Sequence, residues 1–425
     1  MVRAMRIGVV GGSIAGCAGA LAAARAVPEA AVVVFERSAG ALRDRGAGIG
    51  IQHERFGELA AAGFLDASLP ATANDAREWY VWDGGSGDRR KGGGSGGRGN
   101  SDGGGTSGLG KMILRQPFPF DGYNWGHLYR SLRGRLPSRV EYRGDARVMS
   151  VTPTESGASV TLTDGGVEHF DLLLGADGYR SVVREAMFPG VVPDYAGYLC
   201  WRGLSDFAQI EGLPHGAFFT VGFPHGHLVA YPIPADDGRV HFNWVLYATV
   251  PPEVTGDLRT ATSIPPGAVS DALLDFMDAL LSRELPPLWA EAIRKTARED
   301  VFIQPIYDFE VPAYAKHRML LLGDAGAVSR PHAGAGSVKA MQDAAALLDL
   351  WSTAADRSDL GALAARYDAA RRPPGHAIAT LARRIGEAQV LDTPDWSAFE
   401  EATFVPWLAA LTAMPDGTEL GGRRL

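Results

Sequence analysis

The sequence predicts an α/β fold. A βαβ unit opens the chain, a mixed or antiparallel sheet is inserted in its middle, and helices close it. Three observations carry this. Residues 5–10 are an apolar run that ends in Gly11-Gly12-Ser13-Ile14-Ala15-Gly16 and an alanine-rich stretch. Residues 217–249 alternate aromatic and polar positions in short runs. Within residues 319–344, a second apolar run ends in Gly323-Asp324 and is followed by another glycine-rich turn. At 425 residues, a chain with this layout has two or three domains.

The elements follow in order. Residues 5–10 form a buried parallel strand, 16–26 a helix, and 31–35 a second strand that ends at Glu36. Residues 78–82 and 112–115 read as two strands of a hairpin. Between them, fourteen of the 27 residues from Gly84 to Gly110 are glycine, too polar and too free a stretch to offset its ordering entropy. It reads as a mobile loop. Residues 146–152, 159–163 and 168–174 form a β-meander that turns at Asp164-Gly165-Gly166. Runs at 217–221, 227–233 and 239–249 supply the inserted sheet. Helical patterns follow at 270–283 and 288–297, and a strand at 318–322 returns to the first layer. A helix begins near Val338. From Asp349 the chain is mostly helical, with a break expected at Pro373-Pro374. The resulting division is 1–75 with 111–185 and 300–372 as a nucleotide-type domain, 76–110 with 186–299 as a sheet domain, and 373–425 as a C-terminal helical segment.

Composition excludes several classes. A net charge of −8 argues against nucleic acid or an anionic membrane as partner. Two cysteines, Cys17 and Cys200, make neither a disulfide framework nor a metal cluster, so no metal is expected. No apolar run reaches the roughly 18 residues of a membrane span. The start does not read as a signal peptide, and a cytoplasmic monomer or homodimer is expected.

The first glycine turn lies between strand and helix, with Glu36 twenty residues after Gly16, which is the context a dinucleotide site requires. Gly11 permits the tight turn and Gly16 close packing of helix on strand. The helix N-terminus offers free N–H groups to a pyrophosphate. Ser13 replaces the usual middle glycine; its hydroxyl either donates to a phosphate or caps the helix. Glu36 can accept hydrogen bonds from a ribose. A second block, residues 171–184, places Asp177 after an apolar strand and Arg184 at a helix start. In the third, Asp324 ends a strand, and residues 334–338 can present N–H groups to an electron-rich ring.

Together the segments GGSIAG…FER, DLLLGADGYRSVVR and LLLGDAGAVSRPHAGAG…QDA resemble those of the single-component FAD-dependent aromatic hydroxylases, which have the para-hydroxybenzoate hydroxylase fold. Residues 195–203, 227–234 and 329–336 are most similar to 2,6-dihydroxypyridine 3-monooxygenase-like members. The chain departs from the family at Ala327, usually His, at Val338, usually Asn, and near Asn124-Trp125, where a flavin-contacting Arg is not evident. The resemblance implies an FAD-binding Rossmann-like domain with an inserted mixed or antiparallel substrate sheet and C-terminal helices. It implies FAD as cofactor, with NADH or NADPH and O2 as cosubstrates, and hydroxylation of a small phenol- or hydroxypyridine-like ring through a flavin C4a-hydroperoxide. By position, Gly11, Ser13, Ile14, Ala15 and Gly16 meet the pyrophosphate, and Glu36 and Arg37 the adenosine half. Asp177 lines the pyrophosphate region and Asp324 holds the ribitol. Pro331, Gly334, Ala335, Gly336, Ser337 and Val338 meet the ring edge. Tyr198, Trp201, Tyr231 and Asn243 are the expected substrate contacts. Arg202 is expected to pair a phenolate or carboxylate, and His332 to move a proton; the plainer alternatives are an inter-strand ion pair and loop packing. His225 reads as an exposed turn residue, and Cys17 as a small buried filler. An oxidase or dehydrogenase of the same fold, or a non-catalytic FAD-binding protein, is the rival reading.

Overall fold

The computed structural model describes residues 3–40, 48–82, 108–255 and 263–422. Most of the glycine-rich stretch 84–110 lies outside them. Its flanks do pair as expected: Ala76–Val81 runs antiparallel to Lys111–Pro117, with Val81 opposite Lys111.

One layer is a six-stranded sheet built on the opening βαβ unit. Its order is Ala315–Lys316, Met319–Leu321, Leu172–Gly175, Arg6–Val10, Ala31–Phe35, Glu141–Arg143. The central pairs are parallel, with Val9 opposite Leu174 on one side and Val34 on the other. Runs of Val and Leu suit strands buried on both faces. The helix Ile14–Ala26 is almost wholly alanine, glycine and cysteine. Those small side chains let it lie close against the strands, and Cys17, Ala18, Ala20 and Ala22 are fully buried.

The second layer is an eight-stranded sheet. Its order is Ala327–Val328, Phe302–Glu310, Asp194–Asp206, Val240–Ala248, Gly226–Pro234, Ala217–Phe223, Ala76–Val81, Lys111–Pro117. All neighbours are antiparallel except Ala217–Phe223 with Ala76–Val81. One face is covered by the helices Asp271–Glu284 and Pro287–Arg294, against which Leu199, Trp201, Phe219, Trp244 and Leu246 pack. The other, inner face carries Tyr198, Cys200, Tyr231, Val245 and Tyr247.

Three expectations need correction. The run at 168–174 is two strands, Val167–Phe170 in the meander and Leu172–Gly175 in the six-stranded sheet. Asp171 makes the switch: its carboxylate accepts from the Arg6 N–H at 2.8 Å and from the Arg3 guanidinium at 2.7 Å, which anchors the corner. The boundaries at 111 and 300 also move. Lys111–Pro117 and Phe302–Glu310 are hydrogen-bonded members of the eight-stranded sheet. Finally, Pro373-Pro374 does not break the chain. One helix runs from Leu360 to Gly386 and ends in a π-helical turn, Glu387–Leu391. Tertiary anchors on both sides outweigh the two lost backbone bonds. Arg371 binds the buried Asp343 and Arg372 the Pro312 carbonyl, while His376 binds the Val311 carbonyl. Gly375 lies so close to Tyr314 that a Cβ there would stand 1.9 Å from its hydroxyl.

Among the described residues, no helix is long and apolar enough to cross a membrane, and no group of His, Cys, Asp or Glu is arranged to hold a metal.

Candidate functional site

The two glycine turns, three hundred residues apart in sequence, meet in space. Gly323 is in the left-handed region at φ +58°, and a Cβ on it would stand 2.9 Å from that of Ala15. Gly11 takes φ +96° against the Ala176 carbonyl, next to Asp177. A Cβ on Gly16 would stand 1.8 Å from the Gly11 carbonyl oxygen. Glu36, nearly buried, accepts from the Gly12 N–H at 2.8 Å and from the Ser38 N–H at 2.9 Å. Ile14 is buried, while Arg37 at the strand end is exposed. Ser13 is the N-cap residue of the first helix, and its hydroxyl makes no cap bond. Asp177 accepts from the Val182 N–H at 2.8 Å through Oδ2, and its buried Oδ1 has no partner.

The second turn runs into a helix at Gly336, two residues earlier than expected. No side chain caps that helix, and its first bonded amide is that of Lys339, which donates to the Ala335 carbonyl at 2.7 Å. The N–H groups of Gly336, Ser337 and Val338 are therefore the orphan donors of a helix start. Val338 is itself fully buried in the core, so only its backbone can serve a ligand. Pro331 and Gly334 are exposed, Gly334 at φ +63°. Asp324 is solvent-accessible, yet enough protein surrounds it that desolvation pushes its carboxyl upward, with Lys339 opposing the shift. Behind it, Asp343 accepts from the Gly323 N–H at 2.9 Å and pairs with Lys339 and Arg371.

The turn also touches the inner face of the eight-stranded sheet. His332 Nε2 lies 2.7 Å from the Tyr198 hydroxyl, and its ring packs against His227 and Tyr247 at centroid distances of 5.1 and 4.5 Å. His332 Nδ1 is buried without a partner. Desolvation, reinforced by His227 and Arg330, holds this imidazole well below the usual histidine range, so it is neutral. Arg330 is anchored by Asp308 at 2.6 Å, and Asp308 also takes Arg383 of the long C-terminal helix at 2.7 Å.

Of the expected substrate contacts, Tyr198, Tyr231 and Asn243 lie on this inner face. Tyr231 stands opposite Asn243 in register and stacks on Phe218 at 4.2 Å. Asn243 Oδ1 accepts from the Gly48 N–H at 2.8 Å, and its Nδ2 is buried without a partner. Trp201 is not there: it packs on Phe276 and donates to the Leu273 carbonyl at 3.2 Å, on the helix-covered face. Neighbours in a strand point to opposite faces, so placing Arg202 on the inner face sends Trp201 away. Arg202 has no carboxylate within ion-pair distance among the described residues; its one bond, to Gln304 at 3.4 Å, is weak, and its Nε is buried and unpaired. The inter-strand ion pair is thus excluded there. Asn124, where an Arg was not evident, caps the helix Trp125–Gly134 through the Gly126 N–H. His225 is an exposed turn residue, as expected.

His227, Tyr247 and Gln389 were missed. His227 was legible by the alternation 227, 229, 231, which puts it on the face of Tyr231; Gln389 belongs to the π-helical turn and had no signal. A separate open concavity of about 710 Å3 near His127, Arg130 and Asp236 shares no residue with this site.

The family described as "FAD binding domain" matches residues 5–382. The chain belongs to this FAD-binding family. It is 28% identical to the 2,6-dihydroxypyridine 3-monooxygenase of Paenarthrobacter nicotinovorans, over 89% of this chain and 90% of that protein. It is 30% identical to the 3-amino-4-hydroxybenzoate 2-monooxygenase PtmB3 of Streptomyces platensis, over 97% and 98%. The solved 2,6-dihydroxypyridine-3-hydroxylase from Arthrobacter nicotinovorans has the same fold, with a TM-score of 0.75 at 24% identity over 94% of this chain and 96% of that one. The chain is accordingly an FAD-dependent aromatic monooxygenase with the fold expected. The residues fit the cofactor: the turns lack Cβ atoms where backbone must come close, Ser13 is unengaged, Asp177 Oδ1 is orphaned and a helix start is uncapped.

The buried His227 gives a pH prediction. His227 is 1% exposed, stacks on Tyr247 and donates from Nδ1 to the Gln389 carbonyl at 3.2 Å. Burial lowers its pKa to about 3, against the opposing Gln389 bond. A folded value below the unfolded one means that the neutral ring contributes fully above about pH 6.5 and that this contribution is lost as pH falls from there toward 3. Between pH 7 and 5 the loss is about 2 kcal/mol. In urea unfolding, His227→Phe should remove that much of the acid-side decline; an unaltered decline would show that His227 is not held neutral.

Proposed function

We propose that this enzyme consumes NADH or NADPH and O2 to hydroxylate a small, electron-rich phenol- or hydroxypyridine-like ring. The observation that carries the reading is His332. It sits in the turn assigned to the flavin ring and hydrogen-bonds Tyr198 of the aromatic inner face, so one residue belongs to both walls of the site. The activities in the relatives' names support the same substrate class.

In this reading Gly11, Ser13, Ile14, Ala15 and Gly16 line the pyrophosphate, with N–H groups at the start of the first helix. Glu36 and Arg37 serve the adenosine half, Asp177 the pyrophosphate side and Asp324 the ribitol. Pro331, Gly334 and Ala335, with the free amides of Gly336, Ser337 and Val338, edge the ring. When bound, FAD supplies the electron transfer from NAD(P)H and the electrophilic oxygen from O2. The protein supplies the rest. Arg202, with its unpaired Nε, faces a negative oxygen on the substrate. When His332 Nε2–H donates to Tyr198, Nδ1 is the unpaired acceptor for the substrate hydroxyl, and it relays the proton onward rather than keeping it, because burial disfavours the imidazolium. Tyr198, Tyr231 and Asn243 position the ring, and the buried aromatic surroundings exclude water.

Stopped-flow kinetics tests this. NAD(P)H oxidation by the yellow holoenzyme should accelerate with a phenol or hydroxypyridine, and a panel in which none does so sinks the reading. Reduction by the aromatic compound alone would mark an oxidase or dehydrogenase instead. His332→Asn should lower kcat by about 10²–10⁴-fold with FAD content unchanged. The deficit should be greatest at low pH and shrink where the substrate ionises unaided; a pH-independent deficit would remove the proton-transfer role.

A further inference from the structure

Beyond the helix Glu401–Thr412 the chain folds back across the site. Thr418 is buried, its N–H and hydroxyl bound to Asp416 at 3.1 and 2.9 Å. The Gly421 N–H donates to the Ala333 carbonyl at 2.8 Å, between His332 and Gly334, and the Gly422 N–H donates to the Glu419 carbonyl at 3.1 Å. Both glycines are buried in conformations that L side chains rarely adopt, φ +84° and +109°. A Cβ on Gly421 would stand 2.8 Å from the Phe120 ring, and one on Gly422 would lie 3.6 Å from Val338 and 3.9 Å from Ala335.

Between the two walls stands Leu420. It is partly buried and packs against two clusters: one holds Ala333 and Ala335 with residues of the long helix, the other Phe218, Tyr231 and Ile233 of the sheet's inner face with Phe120 of the neighbouring strand Phe120–Asn124. The aromatic side of that gap is made of stacked pairs, Phe118 on Phe120 at 4.0 Å and Phe218 on Tyr231 at 4.2 Å. A flat ring entering between the flavin turn and Tyr231 must share this space with the Leu420 side chain.

We propose that the segment 418–422 is the third wall of the substrate pocket and that Leu420 is a specificity-determining residue that limits the ring to a single cycle. This rests on the placement of the aromatic substrate proposed above. The backbone bond to Ala333 holds the wall in register with the turn. Both glycines take a backbone conformation that L side chains rarely adopt, and at Gly421 the Phe120 ring also leaves no room for a Cβ. Leu420 fills the volume a second fused ring would need, and methylene-sized differences in such pockets discriminate by about 10–200-fold.

The test uses the full-length holoenzyme and equilibrium titrations, read as changes in the flavin absorbance spectrum. One ligand set is single-ring phenols and hydroxypyridines; the other is naphthols and hydroxyquinolines. In Leu420→Ala the affinity ratio should move at least about tenfold toward fused rings, with FAD occupancy unchanged. Gly421→Ala, which displaces the wall against Phe120, should weaken single-ring ligands while FAD stays bound. A ratio within twofold of the parent, or loss of FAD from Leu420→Ala, overturns the proposal. If ligands bind and shift as expected but none stimulates NAD(P)H oxidation, the hydroxylase reading fails and the wall stands. If no ring compound perturbs the flavin of either protein, both fail.

Discussion

Gly16→Ala protein should purify colourless. The Cβ would stand 1.8 Å from the Gly11 carbonyl oxygen, a contact that only a backbone shift can relieve. Gly11 cannot give way: it is wedged at φ +96° against the Ala176 carbonyl, and its N–H is bound to the Phe35 carbonyl at 2.8 Å. The first helix must therefore lift off the strand, carrying with it the N–H groups that fit a pyrophosphate. Overpacking alone costs about 1–3 kcal/mol. The larger effect is on the cofactor, whose affinity should fall by at least about 100-fold, since several charge-assisted bonds share one geometry. Flavin absorbance per polypeptide and the Kd for added FAD measure it. Gly57→Ala is the control: it lies mid-helix with open space at its Cβ, and should keep FAD and gain about 0.5–1 kcal/mol of stability. Stoichiometric FAD in Gly16→Ala would refute the assignment of this turn.

Asp343→Leu should be the most destabilising single change in the helix that follows the second turn. Asp343 is completely buried between Lys339 at 2.9 Å and Arg371 at 2.7 Å. Burial works against both cations, but Asp343 outweighs it and holds both above their ordinary pKa values. Removing it strands two buried positive charges, which costs about 3–5 kcal/mol. It also frees the Gly323 N–H, so the turn bearing Asp324 loosens and FAD affinity should drop with stability. Urea unfolding gives the first quantity and flavin titration the second. Replacing Lys339 and Arg371 by Met in the same protein should recover most of the lost stability, because no unpaired charge then remains. A single variant within 1 kcal/mol of the parent would mean that the triad is not a buried electrostatic unit.

Much of the site was legible because its requirements are local. The turn at Gly11–Gly16 needs residues without Cβ at set positions, and the strand and helix around it show their own periodicity. Glu36 and Asp324 are carboxylates at the ends of apolar strands, where ligands of such sheets bind. The strands at 111–117 and 302–310 were misassigned because membership of a sheet depends on a distant partner. Trp201 was misplaced for a related reason. Alternation shows that Trp201 and Arg202 point apart, but not which face the helices cover. The Pro373-Pro374 break was wrong because Asp343, Pro312 and Val311, all remote in sequence, hold the helix across it.

By itself, the sequence determined the βαβ start, the two glycine turns, the inserted sheet and the family, since each is a property of a few adjacent residues or of their order along the chain. Only the tertiary structure decided that the two turns form one surface, that His332 faces Tyr198 and His227, that Trp201 turns away, and that Leu420 closes the gap between turn and sheet. Those facts are distances between residues dozens to hundreds of positions apart. They arise from strand register and side-chain packing, which no local pattern encodes.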